Sequence, residues 1–294
     1  VMDRRQTQPQ ARSAILLIHC RDRRGLVAAI TQFLSTHKGN IIYLDQHVDA
    51  EKQVFFMRLE WELEGFAIPP EEIGARFQQA LAEPFEMNWA LHFSNEVPRI
   101  AIFASKLPHC LFDLLSRCQS GEWRAEVPLI ISNHEDLRWI ADRFEIPFHV
   151  FPVNQANKRE MEERQLELLR QHNIDLVVLA RYMQILSPEF IAHYPERIIN
   201  IHHSFLPAFA GARPYHAAYN RGVKIIGATS HYVTAELDAG PIIAQDVTVV
   251  SHRDSVDDLV RKGRDLEQLV LARAVWTHLQ RKVLCYDNRT VIFD

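Results

Sequence analysis

Between residues 99 and 201, short apolar segments alternate with segments of helical spacing, and this alternation constrains the fold more than any other feature. The short apolar segments have the length and composition of buried strands. We place these strands at residues 99–104, 127–131, 148–151, 176–179 and 198–201. The helical segments between them are residues 110–118, 136–144 and 158–173. Strands and helices that alternate over this length predict an α/β domain with a mostly parallel sheet and helices on both faces.

The first part of the chain has a different order of elements. Strand patterns occupy residues 14–20, 41–48, 53–63 and 85–93, and helical patterns occupy residues 26–37 and about 69–81. This βαββαβ order predicts a ferredoxin-like domain over residues 13–93. We expect a linker at residues 94–98 and the second domain over residues 99–294, with a long helix at about 255–280.

The composition is that of an ordinary globular protein, with 47% hydrophobic and 24% charged residues in a chain of 294. A net charge of −4 offers no basic field for nucleic acid or an acidic membrane, and no apolar run is long enough for a membrane span. The four scattered cysteines favour reduced thiols and a cytoplasmic location. Residues 1–12 are polar and lack a signal-peptide core, so we expect a disordered leader there.

An amide and an imidazole stand at the end of the last predicted strand. Because side chains alternate along a strand, Asn200 and His202 face one side while Ile199 and Ile201 face the other. Both polar side chains can donate hydrogen bonds to one oxygen, which a carbonyl needs when it becomes an oxyanion. Ligands of such sheets bind at the carboxyl ends of strands, where this pair falls. A plainer interpretation of Asn200 is a turn former.

A carboxylate follows 36 residues after His202, in the loop between the apolar runs 223–233 and 242–250. There Asp238 could fix one tautomer of His202, stabilise its cationic form or accept a proton from water. The same residues, Asp-Ala-Gly, are also a common turn. We predict no metal, because adjacent His202 and His203 cannot both face one ion and no carboxylate completes a ligand set at useful spacing.

Several motifs of the second domain are familiar. They are Ile131-Ser132-Asn133, Leu179-Ala180-Arg181-Tyr182-Met183-Gln184-Ile185-Leu186-Ser187, Asn200-Ile201-His202 with Ser204 to Pro207, and Leu237-Asp238-Ala239-Gly240. With these motifs the domain resembles the folate-dependent formyltransferase family. From Ala14 onward the chain is similar to hydrolytic members of that family, which carry an N-terminal ACT domain. The stretch 199–219, including Gly211-Ala212-Arg213-Pro214-Tyr215-His216, is close to their pattern.

The resemblance implies a Rossmann-like second domain and assigns Asn200, His202 and Asp238 to catalysis. It also implies that the pterin ring of a folate is framed by Met183, Gln184, Ile185, Leu186 and Val233. The residues alone would favour core packing for Ile185 and Leu186. Two further polar residues are candidates for substrate binding, each with a plainer alternative. His216 would close the site or hold water, or be structural, and Lys106 would attract glutamyl carboxylates or be a solvated loop lysine.

The loop after the first strand of the second domain bears on the reaction. A phosphorylated acceptor would need a glycine-rich loop there, and residues 104–109 contain no glycine. Water is therefore the expected acceptor, and the resemblance implies hydrolysis of 10-formyltetrahydrofolate to formate and tetrahydrofolate, with no cofactor besides the folate substrate. Asn200 and His202 would donate to the oxyanion, while Asp238 accepts the water proton or sets the charge of His202. The implied role is formate supply for purine synthesis and balance of the one-carbon folate pool.

ACT domains commonly bind small amino acids and pair with one another, which implies an amino-acid effector and a homo-oligomer. Asp22 and Gly25 lie in the turn before the first helix, where free N–H groups suit a carboxylate. Arg24 stands where the family commonly has proline, which leaves a purely structural, dimerising domain open. Two other functions also stay open: formyl transfer to a small amine, and regulation by folate or amino-acid binding without catalysis. Formate release without an added acceptor separates hydrolysis from transfer.

Overall fold

The computed structural model describes residues 12–207 and 214–294. The expected leader, apart from Arg12, and the motif residues 211–213 lie outside the described residues. The chain falls into two compact units, of which one runs up to Glu96 and takes in Val291–Asp294, and the other is Val97–Thr290. The last four residues therefore pack with the first unit, whereas the sequence analysis assigned them to the second domain.

The first unit contains a four-stranded antiparallel sheet in the order β2-β3-β1-β4. Its main elements are β1 (Ser13–Arg21), α1 (Leu26–Thr36), β2 (Asn40–Asp49), β3 (Val54–Glu62), α2 (Pro70–Phe77) and β4 (Asn88–Phe93). The predicted βαββαβ order is confirmed. Leu26, Ile30 and Leu34 follow at helical spacing, so they lie on one face of α1 and are buried in the core of this unit.

The second helix of this unit extends beyond the predicted end. α2 continues through a π-helical turn, Gln78–Ala82, into the short α3 (Glu83–Phe85), and β4 begins at Asn88 rather than at residue 85. Glu86 ends the helix in the left-handed region at φ 52°. Such closures usually use glycine, so a glutamate there gave no stop signal in the sequence.

The second unit holds the longer alternation of strands and helices. Its elements are β5 (Arg99–Ala104), α4 (His109–Gln119), β6 (Glu126–Ser132), α5 (Arg138–Arg143), β7 (Phe148–Val150), α6 (Lys158–Gln171), β8 (Leu176–Ala180), α7 (Pro188–Ala192), β9 (Ile198–His202), α8 (Pro214–Arg221), β10 (Ile225–Tyr232), β11 (Ile242–Val249), α9 (Val256–Leu279), β12 (Val283–Tyr286) and the first half of β13 (Arg289–Ile292), whose last two residues belong to the first unit. The sequence analysis did not identify α7, because five residues are too few to show a helical period.

The seven-stranded sheet of this unit has the order β11-β10-β9-β8-β5-β6-β7. The strands from β9 to β7 are parallel, and β10 and β11 extend the sheet in antiparallel fashion. The predicted mostly parallel sheet is thus confirmed. From β5 the chain first adds β6 and β7 on one side of β5, and it later adds β8 on the other side of β5. Such a reversal of strand order opens a crevice at the carboxyl ends of the strands.

Helices cover both faces of this sheet. On β5, Ile100 and Ile102 contribute to one hydrophobic cluster, shared with α4 and α9, while Ala101 and Phe103 contribute to a second cluster, shared with α6 and α7. All of β8 is buried, as expected for a central parallel strand. Within the described part of the chain, no helix is both long and apolar enough to cross a membrane.

Candidate active site

The end of β9 and the loop after β10 bring three polar side chains together. Asn200 and His202 stand at the carboxyl end of β9. The loop after antiparallel β10 turns back so that Asp238, at a left-handed φ of 55°, lies against His202. Gly240 permits this path, because a Cβ atom there would lie 1.8 Å from the carbonyl oxygen of Tyr232.

The polar atoms of this group are within reach of one another. His202 Nδ1 lies 3.2 Å from Asp238 Oδ2. His231, paired opposite Asn200 across the β9–β10 ladder, has its Nε2 atom 3.3 Å from Asn200 Nδ2 and 3.6 Å from Asp238 Oδ1. Because Nδ1–H of His231 donates to the Tyr232 carbonyl at 2.9 Å, Nε2 of the neutral ring accepts a hydrogen bond from the Asn200 amide. His231 therefore orients Asn200.

The charges of this group follow from the same contacts. The hydrogen bond from His202 is the largest cause that lowers the pKa of Asp238 well below its ordinary value, against the opposing effect of burial. Asp238 is therefore a carboxylate at neutral pH, and it is a weak proton acceptor. With Nδ1–H of His202 donating to Asp238, the other ring nitrogen, Nε2, remains for chemistry, and it is buried without a hydrogen-bond partner among the described residues. Asp238 thus sets the tautomer of His202.

A cleft of about 470 Å³ opens beside this group. All three predicted catalytic residues line it, together with the predicted pterin-framing residues Met183, Gln184, Ile185, Leu186 and Val233. Met183 and Ile185 are 56% and 61% exposed, which is unusual for apolar side chains and indicates a surface that a flat ligand would cover. Lys106 and His216 are exposed and do not line the cleft.

Comparison with known proteins identifies the family. A formyl transferase family model matches residues 98–275, and an ACT domain model matches residues 14–81. A Synechocystis sp. protein named formyltetrahydrofolate deformylase is 57% identical over 281 residues, which are 96% of this chain and 98% of that protein. The chain belongs to the formyltetrahydrofolate deformylase family. A relative of the same name from Bacillus subtilis is 49% identical over 95% of this chain and 93% of its own length.

Solved structures extend the comparison to this family's neighbours. The formyltetrahydrofolate deformylase of Pseudomonas syringae pv. tomato superposes with a TM-score of 0.94 at 46% identity, covering 97% of this chain and 95% of its own. Glycinamide ribonucleotide transformylase 1 of Symbiobacterium toebii superposes with a TM-score of 0.64 at 30% identity, covering 70% of this chain and 98% of its own. The deformylase fold therefore combines a transformylase-like domain with a further domain.

Ser105, at the end of β5, holds the apolar wall of the cleft in place. Its Oγ–H donates to Asn133 Oδ1 at 2.6 Å, and the same oxygen accepts a hydrogen bond from the backbone N–H of Met183 at 3.0 Å. These contacts fix the loop after β8 at Met183. Asn133 belongs to a motif recognised in the sequence, whereas no sequence pattern indicated a role for Ser105.

A second buried polar cluster adjoins the cleft around Glu267 of α9. The Glu267 carboxylate accepts from Tyr215 OH at 2.6 Å and from His109 Nε2 at 2.8 Å, and it lies 3.5 Å from Arg181 Nε. Gly263 makes room for this contact, because a Cβ atom there would lie 2.1 Å from the Tyr215 hydroxyl oxygen. No sequence pattern connects Glu267, Tyr215, His109 and Arg181, since they come from three helices and one loop.

His109, Cys110 and Glu267 within this cluster have ligand atoms that all lie within 4.8 Å of one another. The guanidinium of Arg181 neutralises the same carboxylate, and a second cation there would be repelled by it. The geometry thus favours an ion pair closed by hydrogen bonds over a metal centre, and the absence of a metal stays a prediction.

A separate hollow of about 320 Å³ lies in the first unit, between the start of α1 and the sheet. The predicted effector residues Asp22 and Gly25 both line it, with Arg23, Gln46 and Phe55 among their neighbours. Gly25 is in the left-handed region at φ 92°, and no side chain caps the helix that follows. Backbone N–H groups at this helix start are therefore available to an anion.

Proposed function

We propose that this chain hydrolyses 10-formyltetrahydrofolate to formate and tetrahydrofolate. The observation that carries the proposal is the meeting of Asn200, His202 and Asp238 at one cleft, with His202 Nδ1 3.2 Å from Asp238 Oδ2. The names of the relatives at 57% and 49% identity support it over almost the whole length of the chain. The released formate would supply purine synthesis, and the reaction would balance the one-carbon folate pool.

The geometry suggests a sequence of proton transfers. Asp238 holds the neutral His202 ring with its proton on Nδ1, so Nε2 takes a proton from water as the water oxygen attacks the formyl carbon. The Asn200 amide, oriented by His231, donates to the developing oxyanion. The imidazolium of His202 then returns its proton to the folate nitrogen as the carbon–nitrogen bond breaks. Formic acid leaves and ionises to formate.

The apolar wall of the cleft would bind the pterin ring. Met183 and Ile185 offer exposed apolar surface, and Gln184 offers amide groups for the polar edge of a heterocycle. Lys106 follows Ser105 directly at the strand-end edge of the sheet, and its contact with the glutamyl carboxylates stays a prediction, as does the role of His216.

The decisive experiment is incubation with 10-formyltetrahydrofolate and no added acceptor, with formate and tetrahydrofolate measured together. Equal yields of both products are expected, and the Asn200→Ala protein should give neither above background. Wild-type protein that forms no formate until a small amine is added would instead support a formyltransferase. Wild-type protein that binds tetrahydrofolate but catalyses neither hydrolysis nor formyl transfer would point to a regulator without catalysis.

For the first domain we infer a regulatory amino-acid site at the hollow that Asp22 and Gly25 line. A free amino acid carries a carboxylate for the N–H groups at the start of α1 and an ammonium group for Asp22. Titration calorimetry with glycine and with methionine would test the site, and Asp22→Ala is expected to abolish the heat of binding. A cytoplasmic location and a homo-oligomeric state stay predictions.

A further inference from the structure

His203 is a buried imidazole in the wall of the cleft to which the proposed mechanism gives no role. It follows His202 at the end of β9, is 8% exposed and lines the same cleft. The centroids of the two rings lie 5.1 Å apart, and both rings line one cleft, so the expectation that adjacent His202 and His203 cannot face one site is wrong. Among residues 12–207 and 214–294, no side chain or backbone group makes a hydrogen bond with its ring nitrogens. Polar atoms that line a cleft and lack protein partners usually bind water.

The Glu267 cluster fixes one neighbour of this ring. The ring of Tyr215 lies 6.1 Å from the ring of His203, centroid to centroid, and its hydroxyl donates to Glu267. Tyr215 is therefore tied to α9 and cannot turn to offer its hydroxyl to His203. Two rings, those of His202 and Tyr215, thus pack near His203, and neither gives it a hydrogen bond.

The charges around His203 favour its neutral form. Burial is the largest cause that lowers the pKa of His203 to about 4, and the positive charge of Arg181 lowers it further. Glu267 and Asp238 act in the opposite direction with smaller effect. A neutral imidazole always keeps one nitrogen with a lone pair, so His203 is a hydrogen-bond acceptor at neutral pH.

We propose that His203 is a second catalytic histidine, which holds the attacking water by accepting one of its hydrogens while Nε2 of His202 accepts the other. This inference rests on the proposed hydrolysis. A water bound between two adjacent imidazoles has both hydrogens engaged, and its lone pairs are left for the formyl carbon.

The oxygen–hydrogen bond that faces His202 breaks as the carbon–oxygen bond forms, and that proton later reaches the leaving folate nitrogen through His202. The second hydrogen stays on the new hydroxyl group, hydrogen-bonded to His203. It leaves with formic acid and is released when the acid ionises, so His203 is unchanged over the cycle.

Kinetics of His203→Ala and His203→Gln provide the test. For His203→Ala we expect kcat to fall about a hundredfold, at the lower end of typical effects for a residue that assists proton transfer, while KM for the folate changes little. His203→Gln should recover part of kcat, since its amide oxygen can accept the same hydrogen bond. His252→Ala, which changes an exposed histidine of the same unit, should leave both constants unaltered.

Three outcomes would overturn the inference. The first is wild-type kcat in both His203 variants. The second is a rise in KM with unchanged kcat, which would mean that the ring packs against the folate. The third is equal loss in the alanine and glutamine variants, as expected for a purely structural side chain. In each case, the proposed hydrolysis still stands if the wild-type protein releases formate. If the wild-type protein releases no formate, the proposed hydrolysis itself is wrong.

Protonation of His203 gives a readout that does not depend on turnover or on the folding of the alanine variant. In wild-type protein, NMR titration of the ring, assigned with His203→Gln, should show it neutral down to about pH 5. Arg181→Met removes a nearby positive charge and should raise the pKa of His203, while Arg181→Lys should keep it low. A ring that is protonated at neutral pH in the wild type could not accept the water hydrogen, and the inference would be wrong.

Discussion

Single residues of the site each hold a neighbour in one protonation state. Asp238 accepts a hydrogen bond from Nδ1–H of His202, and the Tyr232 carbonyl accepts one from Nδ1–H of His231. Both rings are therefore fixed as the same tautomer. His203 has no such partner among the described residues, and burial rather than a hydrogen bond determines its charge. The site therefore combines two histidines whose rings are oriented by hydrogen bonds with a third, His203, whose pKa is set by burial. Substitutions of neighbouring residues should change the orientation of the first two and the pKa of the third.

The carboxylate of Asp238 can be tested by Asp238→Asn. The amide keeps an oxygen for the Nδ1–H of His202 and loses the charge that stabilises the imidazolium formed during the reaction. We expect kcat to fall at least about a hundredfold. Affinity for tetrahydrofolate, measured by calorimetry, should change only a few-fold. Wild-type kcat in this variant would remove Asp238 from the mechanism.

His203 should also make the stability of the fold depend on pH. The unfolded chain binds a proton at this histidine with a pKa of about 6.5, while the folded chain does so only near pH 4. Between these values the unfolded state binds more protons, so the free energy of unfolding falls as pH falls. The contribution of His203 to this loss should be on the order of 3 kcal/mol by pH 4. His203→Gln should remove it in urea unfolding at pH 7, 5.5 and 4, and an unchanged pH slope would contradict the assignment.

At the scale of elements, the loop after β10 reaches the site only because Gly240 lacks a side chain. Gly240→Ala would place a Cβ atom 1.8 Å from the Tyr232 carbonyl oxygen, so the loop must move and take Asp238 with it. We expect a loss of kcat comparable to that of Asp238→Asn, with a stability cost on the order of 1–3 kcal/mol.

Gly121→Ala is the matched control for this change. Gly121 lies in the same unit at a left-handed φ of 76°, and a Cβ atom there would meet no other atom within 4 Å. Its replacement should cost about 1 kcal/mol of stability through backbone strain and leave kcat unchanged. If both glycine variants kept wild-type kcat, the position of the loop would not matter to the reaction.

The strands and long helices were predictable because their hydrophobic pattern reflects burial on one or both faces. Strand β5 was placed at its observed limits, Arg99–Ala104, since its residues face two cores and all are apolar after the first. The start of β4 was wrong because Glu86 ends the preceding helix without glycine. Short α7 was missed because one turn and a half shows no period.

The candidate site was partly predictable for a different reason. The meeting of Asn200, His202 and Asp238 at one cleft was predicted because a strand end and a loop next to a strand concentrate polar groups, and motif resemblance supported the choice. Side-chain contacts between residues far apart in the chain leave no such pattern in the sequence. Glu267 is 1% exposed on the long helix α9, and only the fold shows that Tyr215 bonds to it.

At the scale of the whole molecule, two units with separate hydrophobic cores share one chain, and a ligand of the first can affect the second only by thermodynamic linkage. If an amino acid at the hollow lined by Asp22 and Gly25 changes the affinity for folate, then folate must change the affinity for the amino acid by the same factor.

This reciprocity is a prediction for calorimetry on the full chain. The dissociation constant of glycine or methionine should shift when tetrahydrofolate is saturating, and the constant of tetrahydrofolate should shift by an equal factor when the amino acid is saturating. Typical couplings are about 5- to 150-fold. Asp22→Ala should abolish both shifts while basal hydrolysis stays unchanged, because this residue lies outside the catalytic unit. Amino-acid binding that leaves the folate constant unaltered would mean that the first domain binds a ligand without regulating the second.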